Sequence, residues 1–221
     1  MQIATFEKEK ELNKKYNIIV GIDEAGRGPL AGPVVAGACA VKNISDFDFV
    51  TSEDKWKLVR DSKSLSQKQR EEALEFVREK FFVGIGKCSP RAIDEINILQ
   101  ATFLAMKKAF DALEKEIDKH SVYADAETMI VMVDGNQLLP NFTREQMSIA
   151  QGDKISKSIA AASIVAKVVR DKIISGYDKD YPEYGFAKHK GYGTKEHMEA
   201  LKKYGATEIH RKSFKPVKQV L

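Results

Sequence analysis

The stretch Gly21–Val35, which reads GIDEAGRGPLAGPVV, constrains the fold of this chain most strongly. An apolar run, Ile18–Ile22, leads into it and is long enough for a buried strand. The run ends at two adjacent carboxylates, Asp23 and Glu24, and three glycines and two prolines follow in the next nine residues. Glycine lets the chain turn tightly and lets a ligand approach the backbone amides closely. The stretch therefore predicts a buried strand whose end brings charge and accessible backbone to one place.

A phosphate-binding loop is the first alternative for this stretch. Gly21 and Gly26 have the spacing of a Walker loop, but Arg27 and Gly28 follow where that loop needs Lys and then Ser or Thr. Two carboxylates in the loop would also repel a bare phosphate. A divalent cation would remove that objection, because hard cations bind both carboxylate and phosphate oxygens. A strand with polar residues at its exposed end is the simplest remaining alternative.

Apolar and amphipathic segments alternate along the chain, which predicts an α/β layered core. The predicted strands are Ile18–Asp23, Val34–Val41, Phe81–Cys88, Met129–Val133 and Met147–Ala150. The predicted helices run from a Ser66–Gln69 capping box to about Lys80, from Ile96 to Lys119, from Ser156 to Lys172 and from Thr194 to Tyr204. Residues 42–57 show no hydrophobic periodicity and are predicted to form a polar loop.

Positive charge is concentrated near the C-terminal end. Residues 1–171 carry 25 Lys and Arg against 26 Asp and Glu, whereas residues 172–221 carry 11 against 6, so the net charges are −1 and +5. We interpret residues 1–171 as the core and residues 172–221 as a small helical appendage with the charge to grip a polyanion. A solvated basic surface would give the same imbalance.

Other sequence features limit the class of protein. No run of 18 apolar residues is present, so no membrane span is predicted. The N-terminal segment MQIATFEKEKELNKKY lacks the apolar core of a signal peptide. Cys39 and Cys88 lie far apart without a CxxC motif and fit reduced core residues. We expect a cytoplasmic monomer with no membrane partner.

Acidic residues follow three apolar segments: Asp23 with Glu24, then Asp134, then Asp153. Side chains at the ends of neighbouring strands can converge, and four carboxylates in one place cannot all ionise comfortably without cations between them. Two divalent ions about 3.5–4 Å apart commonly serve in-line displacement at phosphorus. In the alternative interpretation each acid only begins a turn, as Asp often does, and Asp153 caps a helix.

An ordered set of motifs over about residues 18–218 resembles the bacterial ribonuclease HII family. The glycine-rich stretch that begins at Gly21 is similar to the family's signature at its first catalytic strand. The later matching motifs are Asp61-Ser62-Lys63-x-Leu65, Asn97-Ile98-Leu99, Asp134-Gly135-Asn136, Gly152-Asp153 with the following SIAAAS, Tyr184-Gly185-Phe186, His189-x-Gly191-Tyr192-x-Thr194 and His210-Arg211-x-Ser213-Phe214. Extra polar residues at 125–128 are the main departure.

The resemblance implies an RNase H-like α/β fold, in which helices flank a mixed five-stranded sheet and a small C-terminal helical appendage follows. It implies a metal-dependent endoribonuclease that cleaves the RNA strand of RNA–DNA hybrids. It also implies cutting on the 5′ side of a single ribonucleotide embedded in duplex DNA, which leaves 3′-hydroxyl and 5′-phosphate ends. Mg²⁺ or Mn²⁺ in a two-metal site would be held by Asp23, Glu24, Asp134 and Asp153.

By matching positions, Gly26, Arg27 and Gly28 would contact the 2′-hydroxyls around the cut, largely through backbone. Tyr192 would stack on the deoxyribose just past the last ribonucleotide; a core aromatic of the appendage is the alternative for this residue.

Basic side chains are predicted to hold the duplex backbone, which positions a nucleic acid without reading its sequence. Lys63 would join them or pair with Asp61, and His189 and His210 would be phosphate contacts or plain surface residues. The predicted contacts from the appendage are Lys188, Lys190, Arg211 and Lys212.

Two other functions are compatible with parts of this pattern. Other two-metal nucleases and strand-transfer enzymes share scattered carboxylates but lack the GRG turn and the GY element. A non-catalytic hybrid-binding protein would have lost a carboxylate, whereas all four are present. The sister type, ribonuclease HIII, carries a sizeable domain ahead of the glycine motif, and only 22 residues precede Asp23.

Overall fold

A five-stranded mixed sheet forms the centre of the structure, a computed structural model that describes residues 4–47, 54–120 and 128–221. The strands, numbered in chain order, are β1 Ile18–Ala25, β2 Val34–Val41, β3 Phe81–Cys88, β4 Met129–Asp134 and β5 Glu145–Ile149. Their order is β3-β2-β1-β4-β5, with β1 antiparallel to β2 and parallel to β4. The predicted mixed sheet is confirmed, although β5 begins two residues before its predicted start.

Helices cover both faces of the sheet. Numbered in chain order, they are α1 Glu7–Leu12, α2 Gln67–Lys80, α3 Pro90–Asp118, α4 Lys157–Gly176, α5 Phe186–His189, α6 Lys195–Tyr204 and α7 Lys215–Lys218. The predicted capping box of α2 is present, because the Gln69 amide donates to Ser66 Oγ and the Ser66 amide donates to Gln69 Oε1. Parts of the predicted 42–57 loop and of the polar stretch 125–128 lie outside the described residues.

Strand β1 is buried on both faces, which explains its continuous apolar run. Ile19 packs in a core with α2 and α4, whereas Ile18, Val20 and Ile22 pack in a core with α3. The parallel β1–β4 pairing places Ile22 opposite Val133, so Asp23 and Asp134 leave the sheet at the same edge.

Helix α4 crosses β1 and β2 at very short range. A β-carbon at Gly21 would lie 2.3 Å from the Ile159 backbone nitrogen, and one at Gly37 would lie 2.5 Å from the Ala162 carbonyl oxygen. The small residues Ala160–Ser163 of α4 permit this close packing. This approach brings Ser163 next to the acidic end of β1.

Helix α3 is interrupted at Asn97, where φ is 65° and ψ is 164°. Asn97 Oδ1 accepts from the backbone amides of Leu99 and Gln100, so this side chain caps the longer second part of the helix. The amphipathic helix predicted from Ile96 corresponds to that second part.

The C-terminal segment packs on the turn after β1. Leu30 and Ala31 share a buried cluster with Tyr184, Phe186 and Leu201. Helix α4 continues through residue 172 to 176, so the proposed division at 171/172 falls inside a helix. Within the described ranges, no helix combines the length and apolar character that crossing a bilayer requires.

Candidate active site

The acidic ends of β1 and β4 open into a cavity of about 420 Å³. All four predicted carboxylates line this cavity, and so do Gly26–Gly28, Lys63 and Tyr192. Residues from five separate parts of the chain therefore meet at one edge of the sheet, as their positions at strand ends and in turns predict. The carboxylates are Asp23, Glu24, Asp134 and Asp153.

Asp23 is the most buried of these acids, with 6% of its surface exposed. Its Oδ1 accepts a 2.6 Å hydrogen bond from the Glu24 amide, and the Ser163 hydroxyl also donates to its carboxylate. Burial raises the pKa of Asp23 well above its ordinary value, and the neighbouring charges of Glu24 and Asp134 raise it further. The site thus concentrates negative charge where water screens it poorly.

Glu24 has a partial counterion within the turn. Burial raises the pKa of Glu24, while the guanidinium of Arg27, whose Nη1 lies 3.2 Å from Glu24 Oε1, opposes that rise. The Arg27 side chain is half exposed and makes an i,i+3 ion pair along the turn. Arg27 therefore neutralises part of the acidic cluster in the protein alone.

Gly152 links Asp134 and Asp153, because it directly precedes Asp153 in the chain and its amide contacts the Asp134 carboxylate. The Gly152 amide donates a 2.6 Å hydrogen bond to Asp134 Oδ1. A β-carbon at Gly152 would lie 2.5 Å from Ile159 Cδ1, so glycine permits this approach. Asp153 follows in a 3₁₀ turn, and its pKa is raised by burial and then by Asp134.

The N-terminus of α4 is capped by Ser156, not by Asp153. The Ile159 amide donates to Ser156 Oγ at 3.2 Å. The alternative interpretation of Asp153 as the cap of this helix is therefore wrong, and its carboxylate faces the cavity.

The donor set fits a hard divalent cation. The four acids that line the cavity supply only carboxylate oxygens, which Mg²⁺ and Mn²⁺ prefer, and their mutual repulsion would be relieved by positive charge. Among the described residues no three acidic, histidine or cysteine side chains stand close enough to enclose an ion without moving. The carboxylates would therefore have to rotate toward a bound ion.

Two buried guanidinium groups hold the turn that follows the acids. Arg211 is fully buried and donates to the carbonyls of Gly26 (2.6 Å), Arg27 (2.9 Å) and Gly32 (3.0 Å). Arg170, also fully buried, donates to other carbonyls of the same turn. Gly26 has φ +97°, and a β-carbon there would lie 2.0 Å from Arg170 Nε. The backbone of the turn is therefore set by side chains beneath it.

The buried position of Arg211 corrects its predicted role as a phosphate contact. Burial lowers the pKa of Arg211 to about 9, and three carbonyls occupy its donors. His189 and His210 are also buried, so neither of the two roles predicted for them, phosphate contact or surface residue, describes them. Lys190 Nζ turns back onto Ser175 Oγ and the Ala187 carbonyl. These basic side chains bind other groups of the protein, so they act as internal supports.

Two predicted basic contacts remain on the surface. Lys188 is exposed and pairs with Glu196, and Lys212 is exposed while its backbone amide donates to Asp94. Lys63 lines the cavity itself, so the structure places it beside the acids.

Tyr192 is exposed on the cavity wall and is not a core aromatic. Its side chain is 44% exposed, and the Arg170 guanidinium carbon lies 5.9 Å from the centre of its ring. A β-carbon at Gly28 would lie 3.8 Å from Tyr192 Cε1. The ring and the glycine turn therefore face the same space.

Four further polar residues that the sequence interpretation did not assign line the cavity. Ser163 and Ser62 are joined by a buried 2.9 Å hydroxyl contact, which extends the hydrogen bonding behind Asp23. A polar stripe at positions 163, 167 and 170 of the otherwise apolar α4 was the signal for three of them. The four residues are Ser62, Ser163, Lys167 and Arg170.

Solved structures share this architecture. Ribonuclease H2 from Pyrococcus horikoshii OT3 aligns over 92% of this chain and 96% of its own, with 26% identity and a TM-score of 0.66. Bst ribonuclease HIII, solved in complex with Mn²⁺, shares the fold at 17% identity, with a TM-score of 0.62 over 92% of this chain and 68% of its own. These similarities and the acidic cavity define an RNase H-like nuclease.

Sequence relatives narrow the class. The ribonuclease HII family model matches residues 20–217. The ribonuclease HII of Clostridioides difficile (strain 630) is 49% identical over 96% of this chain and 75% of its own, and that of Caldicellulosiruptor bescii is 47% identical over 94% and 91%. The chain belongs to the ribonuclease HII family, whose activity is endoribonucleolytic cleavage of RNA–DNA hybrids.

Proposed function

We propose that this protein also cuts on the 5′ side of a single ribonucleotide embedded in duplex DNA, leaving 3′-hydroxyl and 5′-phosphate ends. The observation that carries the proposal is that the carboxylates, the Gly26–Gly28 backbone and the Tyr192 ring share one cavity. Only the 2′-hydroxyl distinguishes RNA from DNA at a given sugar. A backbone turn beside the acids can therefore test that hydroxyl where the phosphate reacts.

We propose further that the reaction requires Mg²⁺ or Mn²⁺ held in a two-metal site by the four carboxylates. Such ions, when bound, polarise the phosphate and lower the pKa of water. The protein's own contribution is positional: Ser163 orients the Asp23 carboxylate, and the Gly152 amide orients that of Asp134. Arg27 is placed to exchange its contact with Glu24 for one to substrate.

Discrimination between the sugars is assigned to the turn and the tyrosine. Arg170 and Arg211 fix the turn's carbonyls, so the turn presents one backbone shape to the ribose. The exposed Tyr192 ring supplies a flat face for a sugar that lacks the hydroxyl. Lys63 and Lys167 on the cavity wall, with the exposed Lys188 and Lys212, are proposed to contact duplex phosphates.

The test is cleavage-site mapping on a duplex with one ribonucleotide. We expect one cut 5′ of that residue, a 3′-hydroxyl that a polymerase extends, and loss of cutting when chelator is added or the ribonucleotide is replaced by its deoxy form. Equal cutting of the all-DNA duplex would contradict 2′-hydroxyl recognition. Cutting of long hybrids without any cut at the single ribonucleotide would leave the family activity and remove this proposal.

We also propose that the protein acts as a cytoplasmic monomer. One chain supplies the whole acidic cavity, and Cys39 and Cys88 are buried free thiols. Light scattering of the purified protein at working concentration tests the monomeric state: a dimer mass at concentrations where activity per chain is constant would contradict it.

A further inference from the structure

Three imidazoles form a buried cluster directly behind Tyr192. His197 and His210 are at most 1% exposed, and His189 is 8% exposed. The rings of His189 and His197 are stacked, with centroids 4.5 Å apart and planes 11° apart. His197 Nε2 and His210 Nε2 lie 3.0 Å apart. The proposed catalytic roles use none of these rings, although burying a polar ring costs free energy unless it is hydrogen-bonded.

The hydrogen-bond partners at the two ends of the His197–His210 pair fix its proton positions. The Thr207 backbone N–H can only donate, and it lies 3.0 Å from His210 Nδ1, so that nitrogen accepts and the proton of neutral His210 is on Nε2. The Tyr192 carbonyl can only accept, and it lies 2.9 Å from His197 Nδ1, so that nitrogen carries the proton of neutral His197. His210 Nε2–H then donates to His197 Nε2.

We propose that His197 and His210 are positioning residues that hold the Tyr192 backbone, and hence its ring, through this one-directional chain of hydrogen bonds, which exists only while both imidazoles are neutral. The chain starts at the Thr207 amide and ends at the Tyr192 carbonyl. The inference rests on the proposed role of Tyr192 at the substrate sugar.

The backbone around Tyr192 explains why it needs such support. Tyr192 is flanked by Gly191, with φ +80°, and Gly193, so its neighbours restrict it little. Its carbonyl accepts from the Thr194 amide at 2.8 Å as well as from His197. Its own amide donates to the His189 carbonyl at 3.0 Å. Loss of the His197 donor would therefore leave two backbone hydrogen bonds, both to residues within three positions in the chain, to orient a glycine-flanked residue whose side chain is exposed.

Protonation of either imidazole would oppose the chain. A proton added to His197 would lie on Nε2, opposite the Nε2–H of His210 across a 3.0 Å contact, and one added to His210 would lie on Nδ1, opposite the Thr207 N–H, so donor would face donor. Burial lowers the pKa of His210 to about 4, helped by the nearby His197 and His189, and burial also lowers that of His197. The titratable rings in contact with the pair are His189 and Tyr184. The neutral chain is therefore the form expected at neutral pH.

The proton positions can be measured without activity. In full-length protein with ¹⁵N-labelled histidine, long-range ¹H–¹⁵N spectra at pH 7.5 should show His197 protonated at Nδ1, the less common form of free histidine, and His210 protonated at Nε2. Spectra of His197→Gln and His210→Gln assign the signals. A charged ring at either position, or a proton on His197 Nε2, would overturn the proposal.

Cleavage kinetics then test the effect on Tyr192. His197→Phe keeps the ring but loses the donor, whereas the amide nitrogen of His197→Asn can replace Nδ1–H toward Tyr192. We expect kcat/KM at a single ribonucleotide to fall about tenfold or more in His197→Phe, within the range that small misplacement causes, and to recover substantially in His197→Asn. His120→Asn, at the exposed remaining histidine, is the matched control.

The outcomes separate this inference from the proposed function. Wild-type protein that does not cut at a single ribonucleotide would remove the function of Tyr192, while the spectra would still report on the chain. Spectra as expected together with unchanged kinetics in folded His197→Phe would show that the chain does not position Tyr192. If His197→Phe does not fold, an Asn variant no better than His197→Ala decides against the proposal in the same way.

Discussion

At the scale of single residues, the position of the Asp23 carboxylate reduces the stability of the folded protein. Its carboxylate is buried, next to Glu24 and within electrostatic reach of Asp134, and only the Ser163 hydroxyl and the Glu24 amide offset this. A group kept ionisable among like charges is characteristic of functional sites. Activity and stability are therefore expected to respond in opposite directions when this charge is removed.

We expect Asp23→Asn to lose at least about two orders of magnitude in turnover, the scale for removing a main electrostatic element. The same change should raise the melting temperature of the metal-free protein by about 2–4 °C for each kcal/mol of repulsion relieved. Parallel cleavage assays and calorimetry in chelator provide the measurement. Near-normal turnover would remove Asp23 from the site, and a lower melting temperature would contradict the repulsion argument.

Asp153 and Ser156 should separate catalysis from capping. Asp153→Asn is expected to lose turnover with little change in melting temperature, because Ser156 and not Asp153 caps α4. Ser156→Ala should lose about 1 kcal/mol of stability for the cap and more for the hydrogen bond that Ser156 Oγ donates to the buried Glu9 carboxylate, while it retains the carboxylate of Asp153. If Asp153→Asn turns over normally, this acid does not act in the reaction.

The acids were predictable from the sequence because each follows an apolar strand or segment and strand ends meet at one edge. The role of Arg211 was not, because a positive charge does not reveal whether its guanidinium faces water or the carbonyls of Gly26 and Gly32. Those partners lie 179 and more positions away in the chain. The same reasoning applies to His210, for which the sequence predicted either a phosphate contact or a surface position.

At the scale of elements, helix α1 is attached to the segment that carries Asp153. Glu9 Oε1 accepts from Ser156 Oγ (2.6 Å) and the Ser158 amide (2.8 Å), and Thr5 pairs with Ser156 in an isolated bridge. Thr5 and Glu9 precede the part of the chain that the family model matches. The start of α4 is thus fixed from two directions.

Glu9→Ala should leave the Ser156 hydroxyl and the Ser158 amide without this acceptor, at a cost of about 1–3 kcal/mol. Because Asp153 precedes these groups, we expect more Mg²⁺ to be needed for half-maximal cleavage, with turnover at saturating Mg²⁺ largely kept. Glu11→Ala, an exposed change on the same helix, is the control. An unchanged Mg²⁺ requirement would limit Glu9 to stability.

Arg211→Lys should distinguish a support from a phosphate contact. Lysine keeps the charge but lacks the planar fork that reaches three carbonyls, so we expect at least about tenfold weaker cleavage at a single ribonucleotide. The salt dependence of duplex binding should stay as in the parent, whereas Lys188→Ala and Lys212→Ala should flatten it. A flatter salt dependence in Arg211→Lys itself, despite the conserved charge, would restore the phosphate role.

The elements themselves were largely predictable, because strand periods and caps are local signals. The Ser66–Gln69 box located the start of α2, for example. The break at Asn97 was not predicted, since the apolar spacing continues on both sides of it and only the capping geometry shows the interruption. The division at 171/172 was drawn from the change in charge and residue type and from a helix predicted to end at Lys172, whereas α4 continues to Gly176.

At the scale of the whole molecule, acid should weaken the attachment of the C-terminal segment. His210 is neutral when folded, with a pKa lowered to about 4, and would take up a proton when unfolded below its ordinary value of 6.5. Stability is therefore complete above about pH 6.5 and falls as pH drops toward 4. Melting temperatures across this window should fall less steeply in His210→Gln. Equal slopes for parent and variant would contradict the assignment.

The contacts of the turn after β1 bear on the order in which the parts of the enzyme are synthesised. The Gly26 and Arg27 carbonyls are held by Arg211, which follows 185 and 184 positions later. Domains generally fold as units, and Arg211 is translated after all four acids, so the turn cannot take its supported shape until this late residue has been made. A nascent chain shorter than this would carry the four acids without the support of the turn that we propose reads the sugar. The proposed selectivity therefore depends on a residue that is synthesised after the acids.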